Sequence, residues 1–289
     1  MKYYLNKEGN KIDLIQKQTF LVDVITKSQK RILLILVIGW IISLGFFWSW
    51  WLQANHIISW VGMLLNSLIL FFDTFIPGYF FWFVLRMKQP NPQLPLPNNW
   101  RVAMVVTKSP SEPWSLVQQT LIAMLEQSYL HDTWLADENP TLETLHWCQL
   151  HSVQVSCRQG IEEYHRLKWP RRTRCKEGNL AYFYDQVGYD NYDIVIQLDA
   201  DHIPSQGYLK AMLHPFINPK IGYVAAPSLC DTNQDESWIV NGRLFTEAPL
   251  HGALQAGYNN GWAPLCIGSH YAVRTQALKS IGGLGPELA

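Results

Sequence analysis

The sequence predicts an α/β protein in which an N-terminal transmembrane helical hairpin precedes a mostly parallel sheet with helices on both faces. Three observations carry this expectation. Two long apolar stretches precede residue 88, and strand-like and helix-like patterns alternate from residue 101 onward. The β-branched run Ile194-Val195-Ile196-Gln197-Leu198 then ends in Asp199-Ala200-Asp201. At 289 residues the chain is long enough for one large domain or two small ones, and 23 Lys+Arg against 23 Asp+Glu leave no basic footprint for nucleic acid.

The hairpin comes first. Residues 32–52 carry no charge and can cross a hydrocarbon core of about 30 Å. The second stretch, residues 57–85, is interrupted by Asp73 and by Pro77-Gly78, so it reads either as a kinked span or as a span plus an interfacial piece. About thirty mostly polar residues precede the first span, which argues against a cleaved signal peptide. Lys2, Lys7, Lys11, Lys17, Lys27, Lys30 and Arg31 come before it, the turn at 53–56 has no Lys or Arg, and Arg86 and Lys88 follow the second span. By the positive-inside rule the protein is integral to a plasma or inner membrane, with the N-terminus and the soluble domain cytoplasmic. Trp48, Trp50 and Trp51 read as an outer interfacial belt or as apolar filler. Asp73 is costly in lipid and calls for shielding by further helices, such as those of other subunits. The organisation expected is a cytoplasmic segment (1–30), two transmembrane helices (31–88), a Pro-rich linker (89–99) acting as an extended spacer, and a soluble domain (100–289).

Within that domain, residues 101–107, 133–136, 153–157, 194–198 and 221–225 predict strands. Residues 115–127, 141–150, 177–187 and 207–216 predict helices, the second opened by Asn139 and Pro140. In such a sheet the loops after the strands gather at one edge, where ligands bind. Here those loops hold Thr107-Lys108-Ser109-Pro110-Ser111-Glu112-Pro113, Asp137-Glu138-Asn139 and Asp199-Ala200-Asp201-His202. Asp199 and Asp201 fall on one side of an extended chain and offer oxygen ligands to a hard divalent cation that can also hold a diphosphate. A turn that merely uses Asp chemistry is the plain alternative. Five scattered cysteines without C-x-x-C spacing read as free thiols, no H-E-x-x-H is present, and Gly-x-Gly-x-x-Gly is absent.

Read in order, these loops resemble family 2 glycosyltransferases of the GT-A fold, in particular membrane-embedded β-glycan synthases such as cellulose synthase. The resemblance covers residues 101–289. It rests on Glu112-Pro113, Asp137-Glu138, Lys176-Glu177-Gly178-Asn179, Asp199-Ala200-Asp201 and Cys266-Ile267-Gly268-Ser269, five landmarks in the family's order. The first loop is longer than the family's and lacks its Asn, and the second reads Asp-Glu-Asn where the family has Asp-Asp-Gly. The family's general-base Asp is expected just beyond Ala289, so the GT-A domain is expected to be incomplete here and inactive alone.

The resemblance implies that Asp199 approaches the donor's ribose or sugar, that Asp201 binds Mg2+ or Mn2+, and that Asp137 and Glu112 line the uracil pocket. Lys176 and Asn179 would lie beside the nucleotide, although Gly178-Asn179 also suits an ordinary helix start. His202 reads as support for the metal or as a packed imidazole. Trp262 would stack on an acceptor sugar, and Gly268-Ser269 would let a glycan pass close to the backbone, with a membrane-interface loop as the alternative for Trp262. The basic run Arg166, Lys168, Arg171, Arg172, Arg174 and Lys176 fits a diphosphate, anionic headgroups or a solvated face equally.

The function expected is inverting transfer of a sugar from a UDP-sugar to a growing β-linked polysaccharide at the lipid bilayer. Two rivals stand beside it: a non-catalytic membrane module that binds a nucleotide or glycan, and single transfer to a polyprenyl-phosphate acceptor.

Overall fold

The structure is a computed structural model and describes residues 20–165, 176–229, 231 and 233–284. In chain order its main elements are β1 (Leu21–Asp23), α1 (Lys27–Trp51), α2 (Trp60–Val84), β2 (Lys88–Pro90), β3 (Val102–Lys108), α3 (Trp114–Leu125), β4 (Asp132–Asp137), α4 (Leu142–Leu150) and β5 (Gln154–Ser156). There follow α5 (Lys176–Phe183), β6 (Ile194–Leu198), α6 (Tyr208–Leu213), β7 (Tyr223–Ala225), α7 (Trp238–Ala248), α8 (Gln255–Tyr258), β8 (His270–Arg274) and α9 (Thr275–Ser280). The described residues divide into two compact units, one built on those within 91–228 and 265–284, the other on those within 21–90 and 229–264.

The first unit holds a six-stranded sheet of order β5-β4-β3-β6-β8-β7. Strands β5, β4, β3 and β6 run parallel, and β8 pairs antiparallel with both β6 and β7, so the sheet is mostly parallel as expected. Successive side chains of a strand face opposite ways, and β3 splits its apolar residues accordingly. Val102, Met104 and Val106 pack with Val117, Leu121 and Met124 of α3 and with Leu209, Met212 and Leu213 of α6. Ala103 and Val105 pack on the other face with Leu180 and Phe183 of α5. Both faces being covered explains why β3 and β6 read as continuous apolar runs rather than alternating ones.

Several expectations change in detail. Thr141, not Asn139, caps α4, because its side chain accepts a hydrogen bond from the Thr144 N–H. The Pro-rich segment is not a free spacer. Lys88–Pro90 forms β2 against β1, Leu94 is buried, and Leu96 and Trp100 pack against the core. Proline fixes φ, so this extended stretch loses little entropy on ordering and can deliver its leucines to an apolar surface. The helix expected over 177–187 holds α-geometry only to Phe183 and then widens into a π-turn over Tyr184–Gly188. β8 and α7 were not anticipated. The three apolar residues of Tyr271-Ala272-Val273 are too short a signal beside the glycine-rich stretch before them.

In the second unit α1 and α2 are each 25 residues long and apolar enough to cross a membrane. α2 runs unbroken through Pro77, so the stretch is a single helix. Indole hydrogen bonds tie the pair: Trp48 Nε1 donates to Thr74 Oγ1 at 3.1 Å and Trp51 Nε1 to Ser67 Oγ at 2.8 Å. Two of the expected belt tryptophans therefore face the neighbouring helix with their polar tips. Asp73 remains exposed on α2. The segment 229–264 belongs to this unit because α8 lies against the end of α2. Gly257 is the point of closest approach, where a Cβ would meet the Phe83 carbonyl oxygen at 2.7 Å.

Two predictions follow from this packing. Gly257→Val should lower the stability of the hairpin unit by about 1–3 kcal/mol, since the obstruction is backbone and cannot rotate away; thermal unfolding in detergent checks it. The Tyr192 hydroxyl donates to Asp132 Oδ2 at 2.7 Å and accepts from Trp134 Nε1 at 2.8 Å. Burial, then the bond to Asp132, pushes its pKa up to about 12. A pKa raised on folding contributes stability that is complete below the ordinary tyrosine value of about 10 and is lost as pH climbs through the folded value. Tyr192→Phe should cost about 1–2 kcal/mol at pH 7 and lessen the decline between pH 10 and 12, measured by urea unfolding across that range.

Candidate donor site at the strand ends

The parallel register brings the C-terminal ends of β4, β3 and β6 side by side, with Lys108 directly opposite Asp137 and Val106 opposite Leu198. A cavity of about 130 Å³ opens there, walled by Thr107, Lys108, Ser109, Glu112, Glu138, Lys176, Asn179 and Asp199. These residues come from four separate segments, and five of them lie in the landmarks read from sequence. A larger open cavity of about 640 Å³ lies elsewhere, between the Pro-rich segment, the stretch after α3, and α6. No carboxylate lines it, so the strand-end cavity is the candidate site.

Three carboxylates at these strand ends are each matched by a cation. Lys176 Nζ pairs with Asp199 Oδ1 and also donates to the Gly268 carbonyl oxygen. Lys108 Nζ lies 3.4 Å from Asp137 Oδ2, and Arg158, fully buried, pairs with Glu138. Carboxylates crowded in a partly dry site repel one another, and such pairing offsets the cost of holding them charged. Asp137 is fully buried and Glu138 nearly so, so neither is a solvent-exposed loop carboxylate. Glu112 closes its own loop by accepting from the Ser109 N–H at 2.5 Å.

Asp199 is held from several sides. Its N–H donates to the Ser269 carbonyl at 2.9 Å, and Gln197 Nε2 donates to its Oδ1 at 3.2 Å. Gly268 and Ser269 thus stand beside Asp199 and Lys176. Asn179 donates from Nδ2 to the Ala136 carbonyl at 2.7 Å, while its buried Oδ1 has no hydrogen-bond partner among the described residues and can accept from a ligand in the cavity. Asp137 is the exception among the expected base-contacting residues, because it does not reach the cavity wall. Trp262 belongs to the hairpin unit, where its ring meets Phe83 edge-on at 5.6 Å and remains largely exposed. Of the basic run, only Lys176 lies within the described residues.

Asp199, Asp201 and His202 offer ligand atoms that all lie within 4.8 Å of one another. Oxygen ligands at about 2.1 Å from a small divalent cation span about 4.2 Å across the ion, so a slight closure completes the set. His202 Nδ1 pairs with Asp201 Oδ1 at 2.8 Å, and its ring stacks on His270 at 5.1 Å between centroids. It is therefore both packed and placed at the ligand cluster. His270 was not anticipated, although it directly follows the Gly268-Ser269 landmark. Its Nε2 lies 2.6 Å from the Ala226 carbonyl and its Nδ1 2.6 Å from Ser269 Oγ, which together orient the ring beneath His202.

The turn Asp199–Asp201 hangs from α3 through one buried bond, Thr120 Oγ1 to the Ala200 carbonyl at 2.7 Å. Removing it strands that carbonyl away from water. Thr120→Val should cost about 1–2 kcal/mol and speed amide hydrogen exchange at residues 199–202 while leaving the β3 amides protected.

No family model and no curated protein sequence matches the chain. Among solved structures it is similar to a mannosyltransferase of Pyrobaculum calidifontis in complex with GDP-Man and Mn2+, at 17% identity and a TM-score of 0.47 over 66% of this chain and 50% of that one. It is also similar to glucosyl-3-phosphoglycerate synthase of Mycobacterium tuberculosis, at 18% identity and a TM-score of 0.38 over 63% and 59%. The same synthase in complex with Mn2+, UDP and glucosyl-3-phosphoglycerate gives 16% and 0.39. The chain spans about half to three fifths of the length of these proteins.

Proposed function

We propose that this chain is a membrane-bound inverting glycosyltransferase that takes a sugar from a UDP-sugar and adds it to a growing β-linked polysaccharide. The observation that carries the reading is the cluster Asp199, Asp201 and His202 at the end of β6, opening beside a cleft that also holds two lysines and an unsatisfied asparagine oxygen. That combination suits a diphosphate chelated by a cation. The mostly parallel sheet, with its ligand edge at the strand ends, supports the GT-A expectation, and the two long apolar helices support attachment to the bilayer.

Breaking the anomeric bond builds negative charge on the departing diphosphate. Asp201 and His202 would hold a Mg2+ or Mn2+ ion, which when bound would supply Lewis-acid stabilisation of that charge. Lys176 adds a second positive charge at the same place, and its bond to the Gly268 carbonyl fixes where that charge sits. Asp199, neutralised by Lys176 and steadied by Gln197, presents its remaining lone pairs to a ribose or sugar hydroxyl. Asn179 Oδ1 receives a donor from the nucleotide. Gly268 and Ser269 present bare backbone beside Asp199, which lets an acceptor sugar approach closely. Trp262 offers an exposed indole face on which a glycan can stack.

The test is calorimetric titration of UDP into the purified chain with and without Mn2+. UDP should bind in the low- to mid-micromolar range only with the ion. Asp201→Ala and Asp199→Ala should each weaken binding by at least about tenfold, the loss expected for one charge-assisted contact. Absence of Mn2+-dependent binding by a folded chain contradicts the reading.

A further inference from the structure

We propose that Lys108, rather than Asp137, reads the base of the nucleotide, and that Asp137 is its positioning partner; this rests on the donor-site reading above. Lys108 closes β3, is only 8% exposed, and forms part of the cavity wall. Asp137 lies across from it in register, has no exposed surface, and takes no part in that wall. The carboxylate is already engaged on its far side. Its Oδ1 accepts the Asn139 N–H at 2.9 Å, and its Oδ2 has the ammonium at 3.4 Å. A nucleotide entering the cavity therefore meets the lysine first.

The ammonium has three hydrogens. One has the Ser109 carbonyl at 3.4 Å, and Asp137 holds the ammonium as an ion pair at 3.4 Å without a hydrogen bond to its Oδ2. The others are left for the cavity, and the Ser109 bond and the ion pair to Asp137 hold the stem in place. Lys108 also stands where the base must lie. Asp199 and Lys176 fix the diphosphate end at the tip of β6. Neighbouring strands are about 4.8 Å apart, so a nucleoside running outward from β6 places its base over β3 and β4.

A lysine ammonium donates and cannot accept. Against a pyrimidine it fits the 4-carbonyl of uracil and repels the 4-amino group of cytosine, which is also a donor. Lys108 then sets a preference for UDP over CDP, whereas a lysine that touched the phosphates would treat the two alike.

The experiment measures Kd for UDP and CDP, with Mn2+ present, in the wild-type chain and in Lys108→Met, Asp137→Asn and the double variant Lys108→Met/Asp137→Asn. The double variant removes the buried pair as a unit, so it folds even where the single lysine variant, left with a lone buried carboxylate, does not. Wild type should favour UDP by at least about tenfold, the value of one well-placed hydrogen bond. Lys108→Met and the double variant should bring the two affinities within about threefold, chiefly by weakening UDP. Asp137→Asn should keep the preference. Equal loss of UDP and CDP in the lysine variants, or an undiminished preference there, overturns the proposal, as does a preference abolished by Asp137→Asn alone. Wild type that binds neither nucleotide removes the donor site itself, a result distinct from all of these.

Discussion

Charge compensation at the ends of β4, β3 and β6 is the constraint on which the soluble unit turns. Parallel pairing in this register sets Asp137, Lys108 and Asp199 on one edge of the sheet. Without Lys108, Arg158 and Lys176, three carboxylates would share a partly dry space, and repulsion would drive protons onto them or open the loops. The cations come from β3, from the loop after β5, and from the start of α5, so the pairing also sews distant segments together. One set of ion pairs thereby serves stability and shapes the cavity.

The pairs differ in what they leave available. Arg158 and Glu138 are matched nearly out of reach of solvent, and Lys108 with Asp137 is nearly so. Lys176 and Asp199 keep more than a quarter of their side chains exposed, and Asp201 is more open still. Buried pairs resist rearrangement, while exposed ones exchange partners at low cost. The strand-end edge is thus graded from a fixed side at β4 to an adaptable side at β6, which matches a site that grips one end of a ligand and reacts at the other.

Much of this was legible in the residues. β6 was read to the residue because five buried, largely β-branched positions leave no other choice, and β3, β4 and α3 followed from equally plain patterns. The gathering of the loops at 107–113, 137–139 and 199–202 at one edge followed from the alternation of strands and helices. What sequence could not supply was pairing. Nothing local marks Arg158 as the partner of Glu138, or hides Asp137 behind Lys108, because both depend on contacts between strands. β8 escaped notice since only three apolar residues announce it, and the place of residues 229–264 beside the hairpin rests on contacts distant in sequence, among them the close approach at Gly257 and the rings of Tyr258 and Trp262 against Phe83.

The central claim is that a divalent ion at the end of β6 holds a nucleoside diphosphate against this edge. The direct measurement is 31P relaxation of UDP by Mn2+ in the presence of the purified chain. The account predicts strong relaxation of both phosphates when the wild-type chain is added to Mn2+ and UDP, beyond that of Mn2+ and UDP alone, and its disappearance in Asp201→Asn. Relaxation unchanged by the folded wild-type chain, or fully retained in Asp201→Asn, would contradict it.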